Sequence, residues 1–234
     1  MKSDNTQQQR ARIILSAGSK GGVGKSMVSI ATIDTLLAAG EDLALVESDT
    51  SNPDVFKMYG STLPHRLMNL DTVDGWMDLV NYADEMKGKT IVVNTAARNN
   101  EGIERFGAML RDSLPELDRE LVTFWVINRQ RDSLELLKAF MGALPESTVH
   151  VFRNGYFGDE HKFELYNGSK IRGTIEANGG RSFHFPDLAD RVVDDLYSKR
   201  LTIETALQDL PIGNRAELKR WRGMAQDVVR GALG

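Results

Sequence analysis

The chain has 234 residues, 29 Lys+Arg against 33 Asp+Glu for a net charge of −4, and no cysteine. Without cysteine there can be no disulfide scaffold, thiolate zinc site, Fe–S cluster or cysteine nucleophile, and the composition suits a reducing cytoplasm. The mildly acidic total argues against a protein dominated by nucleic-acid binding, though not against a local basic patch.

Residues 1–10 are polar and Gln-rich, with no signal-peptide hydrophobic region. They are expected to be a disordered lead-in, with 11–234 forming a single domain. Ile13 to Ala17 is a β-branched strand. Lys25 to Ala39 is a helix apolar nearly all round, hence buried, and Gly40 stops it. Leu43 to Val46 is the next strand. Gly75 to Met86 is a helix with Trp76, Leu79 and Val80 on one face. Thr90 to Val93 is a strand and Glu101 to Leu114 a helix. Val122 to Ile127 is a very apolar strand, followed by a helix from Asp132 to Leu144 and a strand from Val149 to Phe152. Gly155 to Gly168 shows no period and is expected to be a surface loop. Ser169 caps a short helix ending at Asn178-Gly179, and Ser182 to Phe185 is a last strand. Helices follow from Leu188, Thr202 and Asn214. Continuous apolar strands alternating with helices predict an α/β fold, a mostly parallel, doubly wound sheet covered on both faces. No run approaches the roughly 18 apolar residues of a membrane span.

Gly18-Ser19-Lys20-Gly21-Gly22-Val23-Gly24-Lys25-Ser26 fits G-x-x-x-x-G-K-[ST] between a strand and a helix. Glycines let successive backbone N–H groups turn inward on phosphate oxygens, and the helix aims its positive end at the same place. Gly21, Gly22, Val23, Gly24, Lys25, Ser26 and Met27 form the expected nucleotide-binding run. Lys25 bridges β- and γ-phosphates and Ser26 ligates Mg²⁺.

The run Lys20 to Ser26 resembles the deviant Walker A motif of the MinD/ParA family of ATPases, within the wider SIMIBI class. The resemblance implies that Lys20 reaches across a dimer interface and neutralises phosphate charge in trans, as an arginine finger does. It also implies ATP/ADP and Mg²⁺ as cofactors, a homodimer formed with ATP, and a weak ATPase. Glu47-Ser48-Asp49 at the end of the second strand resembles the family's Asp-x-Asp. Asp49 is then expected to position the hydrolytic water or a Mg²⁺-bound water, with Glu47 in support. Asp54 reads as a helix N-terminal acid. Asn94 stands where the family has an aspartate. It can hydrogen-bond a Mg²⁺-bound water but brings no charge, which predicts slow hydrolysis. Arg98 to Gly102 falls where switch segments lie.

At the base end, Asn154 resembles the purine-reading residue, and Phe185-Pro186-Asp187 the loop closing over the base. Asn128 competes with Asn154 but fits a structural position better. The segment Asn214 to Gly234 carries +3, leaving −7 for the rest, with Leu218, Trp221, Ala225, Val228 and Ala232 on one face. Its basic face suits solvent, DNA phosphates or, less well, an anionic membrane. The acidic motif, Asn94 and Asn128 to Asp132 look more like plasmid partition, stability and conjugal transfer or mobilisation members than like MinD. The functional expectation is an ATP-dependent dimerising switch that engages non-specific DNA or a partner protein. The alternatives are a carboxylate-activating ligase resembling dethiobiotin synthetase, its substrate groups supplied by Tyr156 to His161, and a nucleotide-binding module without turnover.

Overall fold

Side chains in the central strands alternate between two buried faces. In β1 (Arg12–Gly18), Ile14 faces one core, while Ile13, Leu15 and Ala17 face the other. In β5 (Glu120–Ile127), Val122, Phe124 and Val126 join the first, and Leu121, Trp125 and Ile127 the second. Such two-sided burial explains why these strands are continuously apolar in sequence. The computed structural model describes residues 10–234. Apart from Arg10, the expected N-terminal lead lies outside the described residues.

The other strands are β2 (Leu43–Glu47), β3 (His65–Leu67), β4 (Thr90–Asn94), β6 (Thr148–Asn154) and β7 (Ser182–Phe185). The sheet order is β3-β2-β4-β1-β5-β6-β7, and every paired neighbour is parallel. One face is covered by α1 (Lys25–Ala38), α2 (Asp54–Tyr59), α8 (Asp190–Lys199), α9 (Ile203–Asp209) and α10 (Ile212–Leu233). The other is covered by α3 (Val73–Glu85), α4 (Asn99–Leu117), α5 (Asp132–Ala143) and, from α6 (Glu164–Asn167) and α7 (Lys170–Ala177), Tyr166 and Ile175. The chain leaves β1 toward β2 on one side and later passes from β4 to β5 on the other. The reversal opens a crevice above the C-terminal ends of β1, β4 and β5.

Several boundaries move from their expected places. The short edge strand β3 carries no periodic signal and was not expected, and of helix α2 only the start at Asp54 was legible. Helix α4 starts at Asn99 rather than Glu101 and takes Pro115 into its last turns before Asp118, at φ 49°, ends it. Gly155 to Gly168 is not a bare loop. Two 3-10 turns and α6 bury Phe163 and Tyr166, and buried Arg153 holds the segment through Glu160 at 2.9 Å and Asn167 at 3.0 Å. The Ser169 cap is present, its hydroxyl accepting from the Arg172 amide. The last helix begins at Ile212, just after Pro211, and its fully buried stripe includes Val229. Val228, seven residues after Trp221, lies on the same side of the helix and is partly buried against the same core, so both valines face inward.

Candidate functional site

The loop between β1 and α1 can form only with glycine at its tightest points. Gly22 and Gly24 have φ of 74° and 105°, and a Cβ on Gly24 would collide with the Asn154 amide nitrogen. The hydroxyls of Ser19 and Ser133 meet at 2.8 Å and pin the loop to α5. Lys25 is buried, and its ammonium donates to the Lys20 carbonyl at 2.8 Å. Burial lowers its pKa to about 8, opposed by the Asp49 carboxylate. The loop lines a cleft of about 430 Å³ together with Asp49, Asn154, Pro186 and Asp187. Gly21, Gly22, Gly24, Lys25, Ser26 and Met27 all reach this cleft, whereas Val23 is buried in the core beneath.

Sheet register makes Glu47 and Asn94 direct neighbours on β2 and β4. The Asn94 amide nitrogen donates to Glu47 Oε1 at 2.8 Å and lies 3.5 Å from Ser26 Oγ. Its oxygen accepts from the Ser29 hydroxyl at 3.0 Å. Asn94 therefore turns its nitrogen toward Ser26. Glu47 is wholly buried and also accepts from the Asp49 and Phe56 amides. Burial raises its pKa to about 7, against the hydrogen bonds from Asn94 and the two amides. Asp49 lines the cleft and accepts from the Asn52 amide at 3.1 Å.

Among the described residues no three His, Asp or Glu side chains cluster as a metal cage. A hard cation here has the Ser26 hydroxyl and the Asp49 carboxylate at the cleft wall. That sparse oxygen set suits Mg²⁺, which keeps waters and completes its shell with substrate phosphates.

Lys20 sits on the rim, half-exposed, 2.5 Å from Asp132 and 3.4 Å from Gln130 Oε1. Its hydrogen bond, and then its charge, hold the Asp132 carboxyl below the usual range. The segment after β4 ties the loops together. Arg98 pairs with Asp71 and donates to Ser51 at 3.2 Å, and Asn99 bonds Asp71 at 2.7 Å and Ser48. Asn100 reaches the Gly18 carbonyl at 3.4 Å. Asp71 had no sequence signal, because its role exists only once β3 places it beside α4. Asp54 heads α2, as expected, and bonds Lys57 at 3.1 Å.

At the far end of the cleft, the Asn154 amide donates to the Val23 carbonyl at 2.8 Å, and its oxygen accepts from the Tyr156 amide at 3.1 Å. One N–H and one lone pair of that side chain are left for a ligand. Asn128 accepts from the Gln130 amide and the Ser133 hydroxyl, a structural turn as expected, and does not line this cleft. Pro186 is held from behind: its carbonyl accepts from the buried Trp221 indole at 2.9 Å, and Phe185 packs edge-on against that ring. Burial and neighbouring Asp190 raise the Asp187 pKa. Tyr156, the first of the residues the ligase alternative would use, also lines the cleft, as do Val193 and Tyr197, which were not anticipated. Val193 and Tyr197 lie four apart on amphipathic α8, a pattern that signals burial without saying against what.

The basic face of α10 is less free than its charge suggests. Arg222 pairs with buried Asp34 of α1 at 2.8 Å and with Glu204 at 3.3 Å. Arg220 pairs with Glu217 and Arg230 with Asp227. No helix among the described residues is long and apolar enough to cross a membrane.

Residues 14–153 match the CobQ/CobB/MinD/ParA nucleotide binding domain. The chain is 58% identical over 221 residues to the protein MobD of Acidithiobacillus ferrooxidans, covering 94% of this chain and 97% of that one. The fold is similar to that in the MinC:MinD cell division protein complex of Aquifex aeolicus. There the TM-score is 0.55 at 13% identity, over 94% of this chain and 96% of the other. It is also similar to a nucleotide-binding protein in complex with ADP from Archaeoglobus fulgidus, with a TM-score of 0.51 at 13% identity, over 86% and 92% of the two chains.

Proposed function

We propose that this chain, which belongs to the CobQ/CobB/MinD/ParA family of nucleotide-binding domains, is a slowly hydrolysing, ATP-dependent dimerising switch. The observation that carries the reading is the pair of lysines at one cradle: Lys25 buried in the loop, Lys20 half-exposed on its rim. ATP phosphates would take the place of the Lys20 carbonyl at the Lys25 ammonium and be held by the loop's N–H groups. Ser26 and Asp49 would hold Mg²⁺ and its waters, which supply electrostatic stabilisation of the transferring phosphoryl group. Asp49 would orient the attacking water. Asn94, being neutral, keeps turnover low. Lys20 would leave Asp132 and reach the second subunit's nucleotide, so that ATP binding and dimerisation are one event. Asn154, Pro186 and Asp187 would hold adenine.

The MobD relative supports a role in mobilisation; plasmid partition or stability, docking on non-specific DNA or a partner protein, and a lesser place for membrane contact are what the family resemblance implies. On α10, Arg215 and Lys219 make no ion pair among the described residues, so a DNA contact would fall there rather than on Arg222. A module that binds nucleotide without turnover is the second reading, favoured by Asn94. The ligase reading loses support, because of Tyr156 to His161 only Tyr156 lines the cleft.

Sedimentation with ADP, ATP and ATP plus DNA, for the protein and for Lys20→Ala, tests the switch. Dimerisation specific to ATP and lost in Lys20→Ala is expected. A monomer under all conditions overturns it.

A further inference from the structure

Glu47 is a wholly buried carboxylate with no cation beside it. Among the described residues it makes no ion pair, and its three hydrogen-bond donors, the Asn94 amide and the Asp49 and Phe56 backbone N–H groups, are all neutral. A buried carboxylate without a counter-charge is expensive, and an apolar residue would pack there more cheaply. The charges nearest to it do not compensate, since Asp49 is a like charge and Tyr197 a neutral phenol. Its one side-chain contact leads to the cation site, because the Asn94 nitrogen that Glu47 accepts from also faces the Ser26 hydroxyl. The carboxylate also fixes which way that amide points. Turning the Asn94 oxygen toward Glu47 would set two acceptors against each other, whereas the Ser29 hydroxyl could donate or accept in either orientation, so Glu47 decides. A Mg²⁺-bound water donates hydrogen bonds and needs an acceptor, yet Asn94 presents its nitrogen on that side.

We infer that Glu47 is the buried anion of the Mg²⁺ site in this chain, and that Asn94 is a positioning residue that links it to Ser26. Of the two acids that the resemblance places at the ends of β2 and β4, only the one on β2 remains, and the register pair Glu47–Asn94 sets one carboxylate beside one carboxamide at that depth. This rests on the nucleotide–Mg²⁺ reading above. It goes beyond that reading by making the pair interchangeable: what matters is a single charge shared by two facing positions.

The test is calorimetric titration of the full chain with a non-hydrolysable ATP analogue, once with Mg²⁺ and once with EDTA. Wild type is expected to bind more tightly with Mg²⁺. In Glu47→Gln that enhancement should fall by about 10–100-fold, the usual loss when a partner of a metal ligand is removed, with the EDTA affinity unchanged. The exchanged double variant, Glu47→Gln with Asn94→Asp, should regain the enhancement. Full enhancement in Glu47→Gln, or none in the double variant, overturns the inference. Should the single variant fail to fold, the double variant decides alone. If wild type binds no nucleotide in either buffer, the nucleotide reading itself has failed, a result distinct from either of these.

Discussion

Removing Arg222 should loosen the helix that starts at the phosphate loop. Asp34 lies in α1 with a side chain only 5% exposed, and its carboxylate accepts from Arg222 at 2.8 Å and from Gln226 at 3.0 Å. Arg222→Ala leaves that carboxylate buried with the Gln226 amide as its remaining side-chain donor. Unpairing a buried charge typically costs about 3–5 kcal/mol. Because Gln226 stays and Arg222 is partly solvated, the lower end, about 3 kcal/mol, applies here. For a chain of this size that is a fall in Tm of roughly 6–12 °C. Asp34→Ala alone is milder, since the cation left behind can reach water and Glu204. The double variant should recover part of the loss, giving a coupling energy of at least about 1 kcal/mol. Thermal unfolding followed by circular dichroism measures all three. A Tm change under about 2 °C for Arg222→Ala, or strict additivity in the double variant, would refute the claim that this pair bolts α10 to α1. The distinction matters for function, because an Arg222 committed to Asp34 is not available to phosphates on the outside of α10.

The pKa of Glu47 is raised from about 4.5 to about 7, so the folded chain holds a proton that the unfolded chain has lost in that window. Its contribution is fully present below pH 4.5 and is lost as pH rises through 7, a total of about 3 kcal/mol. Glu47→Gln should remove this slope and raise stability at pH 8, as measured by denaturant titration across the range. An unchanged slope would show that Glu47 is not the group responsible. Lys25, lowered to about 8, is mostly neutral at pH 9, and adjacent phosphate should recharge it. Nucleotide binding at pH 9 is therefore expected to take up a proton, visible as a buffer-dependent calorimetric enthalpy at that pH, and a buffer-independent enthalpy there would show that Lys25 is not recharged. Trp221→Phe keeps most of the packing but leaves the Pro186 carbonyl without its donor. About 1–2 kcal/mol of stability should go, together with some nucleotide affinity because Pro186 lines the cleft. Gly24→Ala combines a positive φ with a collision against Asn154. Nucleotide binding should vanish, and a variant that binds normally would mean the loop is not the cradle described.

Local patterns carried much of this fold. The run Gly18 to Ser26 needs only its own glycines and the strand and helix beside it, and the apolar strands were legible because burial on both faces makes them continuously hydrophobic. Ser169, Thr202 and Asn128 make local turn or cap bonds, which depend on neighbours a few residues away. Three-residue β3 is too short to show a period. Its edge position also leaves it intermediate or exposed rather than apolar.

What the tertiary structure alone decided is pairing between distant positions. Sheet register, fixed by how every strand buries its two faces, puts Glu47 opposite Asn94, so the missing charge at position 94 has a neighbouring carboxylate that no spacing rule connects to it. Packing of α5 beside the loop brings Asp132 to Lys20. Packing of α10 on α1 brings Arg222 to Asp34 across 188 residues of sequence, turning a surface of apparent positive charge into a set of internal ion pairs. Backbone chemistry and side-chain periodicity are written locally and can be read one residue after another. Charge neutralisation at a site is a property of whichever groups the folded chain brings within a few ångströms, and here those groups lie tens to nearly two hundred residues apart.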